Sequence, residues 1–411
     1  LFILIHFVYF WGFHLYDFFS LSLFEHRDTY SYLLATKKIL LGYPDLSRPV
    51  MYPLTLVPPY LLFQTGYYFF AAVAIIQFLM LGIVWRQTFR LLCREIPVLF
   101  AAIATGIFML NISFTVMSSL VLTEISFMLF LTCCATFLVK YLREKKAYLL
   151  FLTVLCLSIA TLTRPGLWPC TVLISLILAT HTFLYNRNLF TLLSIPSALL
   201  PILCFILWVG NSYGVNRLSV IGELALYKYL NTRTVSMLYP EHTLEQWMQK
   251  RDNLLELNLN ESNLKNKLKK QQYLIKKDTD SLLRYHWPVY IKAYLYNLWS
   301  NTHSGSTLLR YELDHPSVSV GMKRLAYDSS RIYNMVSVIL LMVCNSYIFV
   351  CILRRKKIAS LSVIIIFLLC NYLFFSAGIS FYQGDRFHIV WMPLLCIGMA
   401  LLHNHTKSIR E

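Results

Sequence analysis

Apolar residues run almost unbroken through "LFILIHFVYFWGFHLYDFFSLSL" at the start of the chain, and the charged "EHRDTYSYLLATKK" follows shortly after. Runs of the same kind recur near 1–22, 66–85, 97–115, 121–139, 148–163, 166–184, 189–209, 332–353, 358–377 and 388–403. Each approaches the roughly 20 residues that a helix needs to cross about 30 Å of hydrocarbon. They predict an all-α polytopic membrane protein with about ten transmembrane helices. The first run is too long and too aromatic for a signal peptide, and no small-residue cleavage site follows it. It reads as the first span. Residue 1 is Leu rather than Met, so further N-terminal sequence is expected to precede it.

The polar stretches divide the chain into residues 1–209 with seven spans, a large loop 210–331, and residues 332–411 with three more spans. A second long loop covers 23–65. Its "DTYSYLLATKKILLG" has apolar residues at helical spacing and Gly42 as a stop, which predicts an amphipathic helix along the membrane surface. The five prolines of "YPDLSRPVMYPLTLVPPYLL" argue against a long regular helix before the second span. The large loop is mainly helical in pattern. Thr243 and Gln246 of "HTLEQWMQKRDNLLEL" stand at capping-box spacing. "LRYHWPVYIKAYLYNLWS" is aromatic and amphipathic, as suits a helix at the lipid headgroups. Between them, "NLKNKLKKQQYLIKK" carries six lysines, read first as a solvated face and second as an attraction to anionic headgroups.

Composition sharpens this picture. The chain is 57% hydrophobic and only 14% charged, against about 25% charged in soluble domains. The net charge of +17 invites a nucleic-acid partner until its placement is considered. If the N-terminus is inside, the short inner loops hold Arg86, Arg90, Arg94, Lys140, Arg143, Lys145, Lys146, Arg187, Arg354, Arg355, Lys356, Lys357, Lys407 and Arg410. The short outer loops hold only Arg27, Lys37, Lys38, Arg48, Arg164 and Arg386. The positive-inside rule therefore sets both termini inside and 210–331 outside. Much of the basic balance is topology, and no nucleic acid is expected. All ten cysteines fall in or beside apolar runs, so neither a disulfide framework nor a CxxC metal pair is indicated.

Ionisable groups are costly at membrane depth, so those at the outer ends of spans are the first candidates for chemistry. They are Asp28, Arg48, Glu124, Arg164, Asp385 and Arg386. Four distant stretches thus bring charge to one membrane face, although any one of these groups alone reads as a helix-end marker. Asp17, near the outer end of the first run, either caps a local contact or joins them. The Asp278-Thr279-Asp280 triplet and the Asn111, Asn260 and Asn404 glycosylation triplets are read as chance patterns, with Asp278 and Asp280 on solvated surface. His403 and His405 are read as part of a tail.

"RDTYSYLLATKKILLGYPDLSRPVMYPLTL" resembles the first outer loop of the GT-C glycosyltransferases, in particular relatives of the protein O-mannosyltransferases and the lipid A aminoarabinose transferase. The matching residues are Asp28, Tyr30, Gly42, Arg48, Pro49, Tyr52 and Pro53. "SSLVLTEISFMLFL" resembles the element in which Glu124 starts a span at the outer face. "LSIATLTRPGLWP" and "GDRFHIVWMPLL" resemble the later arginine elements with Arg164 and Arg386, and "LLRYHWPVYIKAYLYNLW" is similar to the outer-loop helix bearing His286.

The resemblance implies an inverting transfer of a sugar from a polyprenyl-phosphate donor to an acceptor hydroxyl on a lipid, glycan or protein. It also implies a bacterial inner membrane with the active site facing the periplasm. Asp28 is the expected base for the acceptor hydroxyl, with Glu124 orienting the acceptor or holding a metal. Arg48, Tyr52, Arg164, Arg386 and His286 are the expected substrate-binding residues, the arginines matching a phosphate's oxygens. No cofactor is specified and a need for divalent metal stays open; membrane lipids are the other expected partners. Two alternatives remain. An O-antigen ligase or polymerase would rely on Arg and His of the large loop, and a flippase would rely on polar groups at mid-membrane.

Overall fold

The computed structural model describes residues 2–19, 27–185, 188–257, 264–305, 320–353, 360–381, 383 and 385–410. Most of the described residues are helical and none is in a strand. Helices α1 (Phe2–Gly12), α2 (Arg27–Leu40) and α3 (Met51–Phe63) precede the bundle formed by α4 (Tyr67–Glu95), α5 (Val98–Met109), α6 (Ser113–Ser119), α7 (Glu124–Glu144), α8 (Ala147–Thr163), α9 (Trp168–Tyr185) and α10 (Leu189–Tyr213). In the large loop come α11 (Ile221–Ala225), α12 (Thr232–Leu238), α13 (Leu244–Leu257) and α14 (Leu264–Thr302). The chain ends with α15 (Val320–Leu353), α16 (Leu361–Ser376), α17 (Asp385–His388) and α18 (Met392–Arg410).

Six of the ten expected spans are helices long and apolar enough to cross a bilayer, on α4, α7, α9, α10, α15 and α16, which makes this an integral membrane protein. The expected span at 97–115 is instead a pair, α5 and α6, bent by 59°. Asn111 sits in the break, where its Oδ1 accepts from Ser113 N at 3.0 Å, an Asx turn that leads into a new helix rather than continuing the old one. At the other three expected spans the apolar helical stretches are shorter than 18 residues: Phe2–Gly12, Ala147–Thr163 and Met392–Asn404. At the first, α1 stops at Gly12, His14 adopts φ 50°, and a 3-10 turn follows at Leu15–Phe19. A left-handed residue of this kind ends the hydrogen-bond ladder.

α7 lies at the centre of the bundle, between α4 and α8, and α18 packs along α4 and α16. The core is filled by large fully buried rings, including Trp85, Phe114, Phe127 and Trp391. At the end where α4 and α7 finish, the Glu95 carboxylate pairs with Arg143 and accepts from Asn404 Nδ2 at 2.8 Å. Asn404 and His403 are thus in helix α18, not in a loose tail.

The surface helix of the first loop forms as its spacing predicts. α2 buries Thr29, Tyr32, Ala35 and Thr36 on one side and leaves Tyr30 and Leu34 exposed. Gly42, at φ 83°, ends it, with Tyr43 N donating to Lys38 O at 2.9 Å, the wrap that left-handed glycine permits. The following prolines do not prevent a helix: α3 carries Pro53 near its start and Pro58 and Pro59 inside. Pro53 sits where backbone N–H groups lack intrahelical partners anyway, and with 13 residues the helix stays short.

In the large loop Thr243 and Gln246 form the expected reciprocal cap, Thr243 N to Gln246 Oε1 at 2.9 Å and Gln246 N to Thr243 Oγ1 at 3.3 Å. The lysine-rich and aromatic stretches join into one element, α14, broken at His286 (φ −134°) ahead of Pro288, whose ring removes a donor and crowds the preceding turn. The reading of Asp278 as solvated surface is corrected. Its carboxylate accepts both Nη atoms of Arg251, at 2.8 and 3.0 Å, and Asn231 Nδ2 at 2.7 Å. Asn231 closes a π-helical turn, Leu226–Asn231, so Asp278 pins α13, α14 and that turn together. Asp280 is exposed as expected. Asn260, Glu25 and Arg354–Lys357 lie outside the described residues, as do the side chains of Asp17, Arg27, Asp385 and His405.

Candidate active site

Chain direction alone gathers the candidate residues. α7 begins with Glu124 at the bundle end where α8 finishes at Thr163, so Arg164 comes next in chain beside it. α16 ends at the same face, and after a turn α17 presents Arg386. α2 lies across this end with Asp28 in its first turn.

The five groups form a single alternating chain. Arg48 pairs with Oδ1 of Asp28. Asp28 Oδ2 accepts from Arg386 Nη1 at 3.0 Å, and Arg386 Nε donates to Glu124 Oε1 at 2.6 Å. The same oxygen accepts from Arg164 Nη2 at 2.6 Å. Glu124 is fully buried, and an ionised carboxylate there costs several kcal/mol, on the order of its lost hydration, unless cations face it. Two guanidiniums on one oxygen supply that. Its other oxygen, Oε2, has no hydrogen-bond partner among the described residues. Among the described side chains three arginines meet two carboxylates, so the chain carries one positive charge in excess, open to an anion.

Local sequence fixes each arginine. Asp45 Oδ1 accepts from Ser47 N, Ser47 Oγ and Arg48 N at 2.8, 2.6 and 2.8 Å, while Oδ2 takes Lys38 Nζ at 2.6 Å. This Asx turn sets the backbone at Arg48. Its side chain then donates to Ser31 Oγ at 2.8 Å and Tyr32 OH at 3.1 Å. Tyr52 is buried behind, its ring edge-on to Tyr32 with centroids 4.9 Å apart. Arg164 also donates to Thr123 Oγ1 at 3.2 Å and lies 5.3 Å from the Phe127 ring. Arg386 Nη1 also reaches Gln383 Oε1 at 3.2 Å.

Charge states follow from this geometry. Burial works against ionisation of Asp28, but Arg386 and Arg48 outweigh it and hold the carboxyl well below the ordinary carboxylate range. Burial likewise opposes the charge of Arg386, and Glu124 and Asp28 more than compensate, keeping it firmly protonated.

Of the sequence candidates, Asp28, Arg48, Glu124, Arg164 and Arg386 are thus joined, with Tyr52 packed behind them. His286 is half-buried on α14 and makes no hydrogen bond or ion pair to this chain among the described residues. Ser31, Tyr32, Asp45, Thr123 and Gln383 escaped the sequence reading. The Asp45-Leu46-Ser47 turn pattern and the Ser31 spacing of three from Asp28 were the available signals. Asp28 and Glu124 are the carboxylates here that could face a metal; no cluster of three or more His, Cys, Asp or Glu occurs among the described residues.

Near the site an apolar groove of about 930 Å³ opens between α14 and α15, with Leu295, Trp299, Val338 and Met342 among its walls. It reaches Phe374, whose ring lies 6.4 Å from that of His388, two residues beyond Arg386.

No family model and no curated protein matches the sequence. Among solved structures the chain is similar to ArnT from Cupriavidus metallidurans, in a crystal structure bound to undecaprenyl phosphate, with 10% identity and a TM-score of 0.33 over 92% of this chain and 74% of that one. The apo crystal structure of ArnT matches at 12% identity and a TM-score of 0.30, over 90% of this chain and 72% of that one.

Proposed function

We propose that the protein is an inverting GT-C glycosyltransferase that moves a sugar from a polyprenyl-phosphate donor to an acceptor hydroxyl at the outer face of the membrane. The observation that carries this reading is the Arg48–Asp28–Arg386–Glu124–Arg164 chain with its excess positive charge, at the end of apolar helices where a surface helix crosses them. A phosphate entering there takes guanidinium hydrogen bonds that the carboxylates now hold. Asp28, relieved of part of its pairing, accepts the proton of the acceptor hydroxyl. That oxygen attacks the anomeric carbon from the face opposite the phosphate, the carbon–oxygen bond to the phosphate breaks, and its electron pair leaves with the polyprenyl phosphate. The arginines hold the charge that develops on the leaving group. Glu124, fully buried, holds Arg386 and Arg164 toward the phosphate and orients the acceptor through them. The groove between α14 and α15 suits the polyprenyl chain. Charge gathered at helix ends rather than at mid-span favours a transferase over a flippase.

The test separates donor binding from transfer. Arg164→Ala and Arg386→Ala are expected to lose affinity for undecaprenyl phosphate, and the Lys variants to regain only part, because Lys lacks the bidentate fork. Asp28→Asn should keep binding while transfer from a polyprenyl-phosphate sugar falls roughly 100-fold. Unchanged affinity in all four arginine variants, or near-normal turnover in Asp28→Asn, contradicts the reading.

A further inference from the structure

A helix ends with carbonyls that lack intrahelical partners, and where α16 ends the chain must turn sharply to deliver Arg386. Those carbonyls are not left to water. α14 meets them with side chains at 294, 297 and 301, a spacing of three and four that puts all of them on one helix face. Tyr294 OH donates to Phe375 O at 2.6 Å, and Asn297 Nδ2 donates to Gly378 O at 3.2 Å. Asn301 Nδ2 donates to both Ala377 O, at 2.8 Å, and Ser380 O, at 2.7 Å. Asn301 Oδ1 then accepts from Gln383 N at 3.1 Å. Asn297 and Asn301 are fully buried, so these bonds have no competing water. The approach is close enough that a Cβ on Gly378 would run into the Tyr294 ring, so glycine is required there.

The stripe continues up the helix, Tyr290 OH donating to Asn231 Oδ1 at 3.3 Å. It also continues sideways: Arg233 Nε donates to Asn297 Oδ1 at 3.2 Å while its guanidinium lies 4.5 Å from the Phe381 ring. Asn301 is the member nearest the site, because Gln383, whose amide it holds, accepts from Arg386 Nη1 through its own side chain.

We propose that Asn301 is a positioning residue: it holds the turn after α16 so that Gln383 and Arg386 face Asp28 and Glu124, coupling the large loop's longest helix to the anion-binding arginine. This rests on the proposed role of Arg386 toward the donor phosphate. Neither donor of Asn301 touches substrate; its effect is transmitted through backbone.

The experiment is a double-mutant cycle on affinity for undecaprenyl phosphate in nanodiscs, using Asn301→Ala, Arg386→Ala and the pair. Asn301→Ala alone is expected to weaken binding roughly tenfold, and to add nothing once Arg386 is gone, since residues acting through one another are not additive. A residue that merely stabilises the fold would add its loss in both backgrounds. Full additivity, or unchanged affinity in Asn301→Ala, overturns the proposal. If Asn301→Ala does not fold, Asn301→Asp carries the same cycle, since it keeps the acceptor for Gln383 N and loses the two donors. Amide hydrogen exchange over residues 377–381 reads the clamp without any ligand and should accelerate in either variant; unchanged exchange overturns the proposal too. Unchanged affinity in Arg386→Ala with accelerated exchange in Asn301→Ala would instead sink the functional reading and keep the clamp.

Discussion

A carboxylate held between two guanidiniums is a poor base until one of them is drawn away. Asp28 is in that position, with Arg48 on one oxygen and Arg386 on the other. Its folded-state pKa lies below the unfolded value, which is about 3.9 for aspartate. The stability that its charge contributes is therefore complete above that value and is lost only as pH falls through the lower, folded one. In the free protein, kcat/KM should accordingly show no acid limb from Asp28 between about pH 8 and pH 5. With donor phosphate bound, Arg386 shares its bonds with the ligand, and kcat should turn down at a higher pH than kcat/KM. The paired pH profiles measure this; a kcat/KM acid limb centred near neutrality would assign the base to another group. At this scale the sequence was informative but incomplete. Asp28, Arg48, Glu124, Arg164 and Arg386 stand out as charges at the ends of apolar runs. Their pairing was not legible, because Asp28 and Arg386 lie 358 residues apart and no local pattern encodes such a contact.

Elements were legible where one face of the chain meets one environment. The surface helix α2, its Gly42 stop and the Thr243–Gln246 cap follow from spacing and residue type alone. α3 is short, as its prolines argue, although Pro58 and Pro59 lie inside it, and the two helical stretches read separately in the large loop join as α14 across the break at His286. The largest misreading was Asp278, whose acidic neighbourhood and surrounding lysines suggested solvated surface. It is held instead by Arg251, which is buried, and by Asn231. Asp278→Ala leaves the Arg251 charge unpaired, and the expected loss is about 3 kcal/mol in the stability of this loop. Amide exchange of residues 226–231 should accelerate in that variant while affinity for undecaprenyl phosphate is retained. Unchanged exchange would show that the pair contributes nothing to the turn.

For the molecule as a whole, the apolar periodicity gave the class, an all-helical integral membrane protein. Length alone did not give the number of crossings, since a break such as that at Asn111 leaves the average hydropathy untouched. The charge pattern does bear on orientation. Arg94 and Arg143 lie at the bundle end of Glu95, away from Asp28 and Glu124. On the positive-inside rule the arginine chain is expected on the outer side. Reporter fusions after Leu230 and after Lys146 should score the outer and the inner side respectively; the swapped result would reverse that orientation, and the same side for both would contradict the topology. The central claim is that the excess positive charge of the Arg48–Asp28–Arg386–Glu124–Arg164 chain exists for a lipid-linked phosphate. A structure of the protein in nanodiscs with undecaprenyl phosphate tests it most directly. The account predicts the phosphate within hydrogen-bond distance of Arg386 or Arg164, the Asp28–Arg386 bond lengthened, and the isoprenoid chain in the groove between α14 and α15. A phosphate bound elsewhere, with all five charged groups still paired as they are now, would contradict it.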